Sequence, residues 1–143
     1  KDININCAIS DKKTNKNLYF VDDFSPLNTL DINHLNFLKK NFSLIKKDFR
    51  EKKIKTENIN NILKKYNFKK VDFLNIDLEG LEYEVIKSID FKKYKINLIC
   101  IEILEHNNFS RNKSRKIKKI LKENNFKFLK KIGVNSIYKN THI

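Results

Sequence analysis

Apolar and polar residues alternate over Asp2–Ser10. Ile3, Ile5, Cys7 and Ile9 fall on one face and Asn4, Asn6 and Ala8 on the other, so the period of two predicts a strand. The polar stretch Asp11–Asn17 predicts a turn and Asn17–Val21 a second strand. Asp22–Asp31, which holds the single proline Pro26, predicts an irregular connection. Leu35 and Leu38 at i, i+3 suggest a short helix over Asn33–Phe42, and Phe49–Lys55 reads as a strand diluted by Lys and Glu. Thr56 then reads as the N-cap of a helix carrying Ile59, Ile62, Leu63 and Tyr66 at helical spacing.

The second half is more strongly patterned. Val71, Phe73, Leu74 and Ile76 form an apolar run too short for a core helix, which predicts a buried strand over Val71–Ile76. Leu81–Ser88 predicts a helix with Leu81, Val85 and Ile86 inward. Ile96–Ile103 is apolar almost throughout, as in a strand buried on both faces of a parallel sheet. Lys113–Asn125 predicts an amphipathic helix with a stripe of Ile117, Ile120 and Leu121, and Phe126–Lys131 and Ser136–Lys139 predict two closing strands around Gly133. Helical connections imply parallel strands with right-handed crossovers, whereas the loop between the last two strands is short enough only for an antiparallel hairpin. The expected fold is therefore α/β, a half-complete doubly wound sheet, mostly parallel with a C-terminal antiparallel strand pair.

Candidate chemistry gathers where the first of these parallel strands ends, at Asp77-Leu78-Glu79-Gly80. Open α/β sheets bind ligands beyond the carboxyl ends of their strands, and Gly80 permits a tight turn into the following helix. If Val71–Ile76 and Ile96–Ile103 are neighbours, Asp77, Glu79, Glu102, Glu105 and His106 converge on one crevice. Asp77, Glu79 and Glu102 then become candidates for a general base, a cofactor contact or a metal ligand. The competing reading for Asp77 or Glu79 is a helix cap favoured by the dipole, while Glu105 and His106 read as surface residues. His34 and His142 read as incidental, no Ser, Cys and His grouping suggests a nucleophile, and no Cys/His spacing suggests zinc. Cys7 and Cys100 fall in predicted strands and read as buried reduced thiols, which fits a cytoplasmic protein.

Composition changes this picture little. The 143 residues suit one domain or part of one, and 34% charged residues with no apolar run near the ~20 needed for a spanning helix exclude a membrane span. The chain opens with Lys1 rather than Met, so a piece of a longer protein is expected. A net charge of +14 raises the alternative of a basic nucleic-acid-binding module, with Arg111–Lys131 as its phosphate-binding stretch. However, 28 Lys, 21 Asn and 20 Ile, all with AT-rich codons, make coding bias the favoured explanation, and Arg occurs only at Arg50, Arg111 and Arg115. The same stretch reads more simply as the solvated face of an outer helix, and no specific nucleic-acid partner is expected. Gly80 and Gly133 are the only glycines, so neither G-x-G-x-x-G nor a P-loop occurs within the chain.

VDFLNIDLEGLEYEVIKSIDFKKYKINLICIEI resembles the D-[VL]-E-G-x-E-x-x-V-[IL] core of the FkbM family of S-adenosylmethionine-dependent O-methyltransferases. INCAIS with LYFV, SPLNTL, KTENINNIL and FKFLKKIGVNSIYKN are similar to the family's flanking segments, so the resemblance runs over nearly the whole chain. It implies a partial Rossmann-like class I methyltransferase sheet in one domain over residues 1–143, lacking the family's upstream D-x-G-A-N-x-G-type loop and acidic strand end. It further implies S-adenosyl-L-methionine as cofactor, with the main binding loop outside this chain. The acceptor it implies is a hydroxyl of a sugar or other small metabolite. Asp77 and Glu79 would face the transferred methyl group, and Asp77 and Gly80 would contact the cofactor. The isolated chain is then expected not to bind cofactor or turn over, and a non-catalytic methyltransferase-like partner subunit is the remaining alternative.

Overall fold

The computed structural model describes residues 2–23, 25–41 and 49–142. Among these described residues eleven elements follow one another: β1 (Ala8–Ser10), β2 (Thr14–Phe20), α1 (Ile32–Asn41), β3 (Arg50–Asn58), α2 (Ile59–Lys65), β4 (Lys70–Ile76), α3 (Glu82–Ser88), β5 (Lys95–Glu102), α4 (Asn108–Glu123), β6 (Phe126–Ile132) and β7 (Asn135–Asn140). The α/β class is as expected, but the strands form two mixed sheets, with orders β1-β3-β2 and β4-β5-β7-β6.

The expectation of a mostly parallel sheet does not hold. Among the described residues β1/β3 and β4/β5 are parallel, whereas β2/β3, β5/β7 and β6/β7 are antiparallel. The closing hairpin accounts for much of the difference. Its second strand, β7, inserts between β5 and β6 and so contributes two antiparallel ladders. The parallel pairing of β4 with β5 is present as read, with Ile76 opposite Ile101.

The core lies where β4 and β5 meet α3 and α4. Ile76, Ile86, Ile99, Ile101, Ile117 and Leu121 pack together there with Phe126 and Tyr138. α4 presents Ser114, Ile117 and Leu121 to this core at helical spacing, and a capping box starts it, with Asn107 and Ser110 each accepting from the other's backbone N–H. Its positive residues otherwise lie outside: Arg111, Arg115, Lys116, Lys118, Lys119 and Lys122 are exposed.

Several local expectations need correction, each because a tertiary partner decides what pattern cannot. Only Ala8–Ser10 of the alternating N-terminal stretch pairs with β3, and Ile3 and Ile5 stay exposed, so period two without a ladder makes no strand. Cys7 therefore precedes β1 and is exposed, while Cys100 in β5 is partly buried, and both are free thiols. Thr56 is not a cap. It is buried inside β3 and its hydroxyl donates to the Lys12 carbonyl at 2.9 Å, while Asn58 caps α2 by accepting from Asn60 N–H. Phe73 is 57% exposed, because alternation puts it on the face of β4 opposite Leu74 and Ile76. Phe42, the expected end of the first helix, lies outside the described residues.

Candidate active site

β4 ends at Ile76, and the chain crosses to α3 through Asp77–Leu81. The crossing is tight. Glu79 sits at φ +48° and Gly80 at φ +113°, a conformation open to glycine and costly for other residues. A Cβ at Gly80 would lie 3.0 Å from the Asp31 Cβ, so the glycine also admits the loop that precedes α1. Glu82, the first residue of α3, reaches back over this crossing. Its carboxylate accepts from Leu78 N–H at 2.9 Å and from Gly80 N–H at 3.2 Å, and the residue is buried. Burial pushes the Glu82 carboxyl above its usual range, against the pull of those backbone donors.

Parallel pairing of β4 with β5 brings Glu102, at the end of β5, to the same edge. One carboxylate oxygen from each of Asp77, Glu82 and Glu102 lies within 4.8 Å of the other two. Glu102 is 9% exposed, and its Oε2 is buried with no hydrogen-bond partner among the described residues. Its carboxyl is pushed up to about 7, first by burial and then by the charges of Glu79, Glu82 and Asp77, with His34 opposing. Asp77 is exposed as a residue, yet partial desolvation of its carboxyl and the Glu79 charge raise it as well.

The neighbouring side of the crossing is organised differently. The Lys113 ammonium donates to Asp31 Oδ2 and to the Gly80 carbonyl, both at 2.7 Å, and stands 3.1 Å from a Glu84 carboxylate oxygen. Thr29 donates its hydroxyl to the Glu79 carbonyl at 2.6 Å, and the Glu79 carboxylate pairs with His34 Nε2 at 3.4 Å. A small cavity of about 50 Å³ opens between α1, the crossing and α4, bordered by His34, Gly80, Glu82, His106 and Lys113.

Of the residues read from the sequence, the structure brings a carboxylate oxygen of Asp77 and one of Glu102 within 4.8 Å of each other and leaves Glu79 beside them as a charge turned toward His34. Glu105 and His106 do not join them. Glu105 binds Lys118 Nζ and Ser114 Oγ, which in that order hold its carboxyl down at about 2, and the His106 ring stacks on Phe37 at 4.7 Å. Both are exposed, as expected. His34 is not incidental, because its pairing with Glu79 places it at the site. Glu82, Lys113, Asp31 and Thr29 escaped the sequence reading. Two of them carried a signal. Glu82 follows a Gly in the first turn of a helix, where unsatisfied N–H groups favour a carboxylate. Lys113 lies four residues before Ile117, on the buried stripe of α4, where a lysine requires partners.

The acidic crossing after one strand and the glutamate at the end of its parallel neighbour lie at the sheet edge where open α/β folds bind ligands. The methyltransferase FkbM domain model matches residues 1–128, and the chain belongs to this methyltransferase family. No curated protein and no solved structure gives a significant match. Among the described residues, no helix is long and apolar enough to cross a membrane.

Proposed function

We propose that this domain serves an S-adenosylmethionine-dependent O-methyltransferase whose acceptor is a hydroxyl of a sugar or small metabolite. The observation that carries the reading is the adjacency of Asp77 and Glu102 at the ends of two paired parallel strands, in a chain of the FkbM family. An edge rich in carboxylates suits a cationic sulfonium, so the donor chemistry fits this cofactor. When bound, the cofactor supplies an activated methyl group. The chain's own task is to align the acceptor oxygen for in-line attack and to accept or relay the proton it loses. Asp77 is the exposed member of the trio and is assigned the acceptor-facing role; Glu102 and Glu79 set the charge around it. Gly80 contributes toward the cofactor by letting the crossing turn at φ +113°. The sheet is read as the β4–β7 half of a Rossmann-like class I fold, and a cytoplasmic location is part of this reading, with which two free cysteines are compatible.

Asp77→Asn tests the assignment. It keeps the shape and removes the charge, so turnover of the whole enzyme is expected to fall by about 10²–10⁴-fold with little change in cofactor affinity. If Asp77 only shapes the crossing, Asn serves nearly as well, and rate and melting temperature both stay near normal. That result would move the role to Glu102 or Glu79.

A further inference from the structure

Three carboxylates meet at one point, and two of them, Glu82 and Glu102, are buried. Among the described residues none of the three has a Lys, Arg or His within ion-pair distance. Glu82 has its backbone donors, but Glu102 Oε2 has no hydrogen-bond partner among the described residues. A buried carboxylate oxygen without a donor is costly, and like charges alongside add to the cost. Two remedies exist: a proton on Glu102, or a cation among the three oxygens.

We propose that Asp77, Glu82 and Glu102 form a binding site for a hard divalent cation, built from the ends of β4 and β5 and the first residue of α3. All three ligand atoms are carboxylate oxygens, the set that Mg²⁺, Mn²⁺ and Ca²⁺ take and that zinc sites supplement with nitrogen or sulfur. Oxygens on opposite sides of such an ion stand about 4–5 Å apart, twice a metal–oxygen distance of about 2.0–2.6 Å. The three oxygens lie within 4.8 Å of one another, close enough for small side-chain shifts to bring all of them onto one ion. The Leu78 and Gly80 N–H groups donate to the Glu82 carboxylate and hold it in place, as supporting hydrogen bonds orient a ligating carboxylate. Asp77 is the exposed ligand and leaves the ion open to solvent or to a hydroxyl on that side. The chain as a whole repels cations at +14, so saturable binding here reports the local acidic pocket and not a diffuse surface. The site stands on its own geometry, whether or not the methyl-transfer reading holds.

Manganese provides the probe. The chain is stripped with a chelator, dialysed and titrated with Mn²⁺, and free Mn²⁺ is followed by electron paramagnetic resonance. Saturable binding that Mg²⁺ or Ca²⁺ competes away is expected. Glu102→Gln and Asp77→Asn should each weaken it by about tenfold or more. Melting temperature in chelator separates lost ligation from lost folding: Glu102→Gln removes a buried unpaired charge and should melt no lower than the parent chain. Where Glu102→Gln fails to fold, Asp77→Asn, at an exposed position, carries the same test. Absence of Mn²⁺ binding into the millimolar range, or binding that both variants leave unchanged, overturns the site. The first of those results would make a proton on Glu102 the remedy.

Discussion

Gly80 separates two groups of carboxylates that are alike in residue type and in having a buried member, and differ in whether a cation compensates them. Its carbonyl turns to Lys113, where Asp31 and Glu84 share an ammonium, and its N–H turns to Glu82, next to Asp77 and Glu102. On the Lys113 side, burial pushes Asp31 upward, but the lysine and the Asn33 backbone outweigh it and the carboxyl ends below its usual range. On the other side burial and repulsion act in the same direction, and Glu102 is raised to about 7. Carboxylates compensated by a lysine hold a structure together. Carboxylates left uncompensated at a strand end are where catalysis or ligand binding is to be sought. The two groups share one backbone turn, so the structural group can serve to hold the other in place.

The sharpest way to break the contrast is Lys113→Met, which keeps the aliphatic stem and removes the charge. Asp31 is 7% exposed and would be left as an uncompensated buried anion, with the Gly80 carbonyl also losing its donor. Removing one partner of a buried pair costs about 3–5 kcal/mol, and a loss in that range is expected from urea unfolding. A loss below about 1 kcal/mol would put the pair in the class of surface ion pairs and remove the distinction between the two groups.

This contrast also shows what could be read in the sequence. The β4–α3–β5 unit was legible because two apolar runs flank a helix-length connection, and their parallel direction followed from that, whereas the register, with Ile76 opposite Ile101, did not. Asp77 and Glu102 were legible for the same reason, since both are defined by where a strand ends. The α4 stripe and the closing hairpin came from period and loop length. What could not be read depends on partners distant in the chain. Lys113 meets Asp31 across 82 positions, and Thr29 meets Glu79 across 50. Asp2–Cys7 alternates like a strand yet has no ladder, and the position of β7 between β5 and β6 is a matter of topology that no local pattern encodes.

A pH series probes the lysine group without mutation. The Asp31 carboxyl is depressed below its ordinary 3.8, so its contribution is present above that pH and is lost as pH falls through the lower folded value. Lys113 is raised above its ordinary 10.5 by Asp31 and Glu84, in spite of burial, so its contribution is full below 10.5 and is lost as pH rises through the higher folded value. Glu105, held at about 2, adds to the acid limb, but it is exposed and its part is small. Melting temperature should therefore fall below about pH 4. Asp31→Asn should flatten that fall, and a variant that keeps the full acid limb would show that other carboxylates drive it.

The smallest expected effect concerns the link between the groups. Thr29 is 2% exposed and is fixed to β2 by paired backbone bonds with Tyr19. Its hydroxyl donates to the Glu79 carbonyl and accepts from Asp31 N–H, so one side chain ties the lysine group to the crossing beside Asp77. Thr29→Val keeps the shape and removes both bonds, leaving a carbonyl and an N–H to find other partners. A cost of about 1–2 kcal/mol is expected, less than for Lys113→Met because no charge is stranded. If Thr29 is only a packing residue, turnover of the whole enzyme stays at the parent value once the small stability loss is allowed for. If it holds Glu79 at φ +48°, turnover falls at temperatures well below the melting transition, where the protein is fully folded. Measuring rate and unfolding on the same preparation separates the two, and Thr29→Ser, which restores the hydroxyl, should recover the rate in the second case alone.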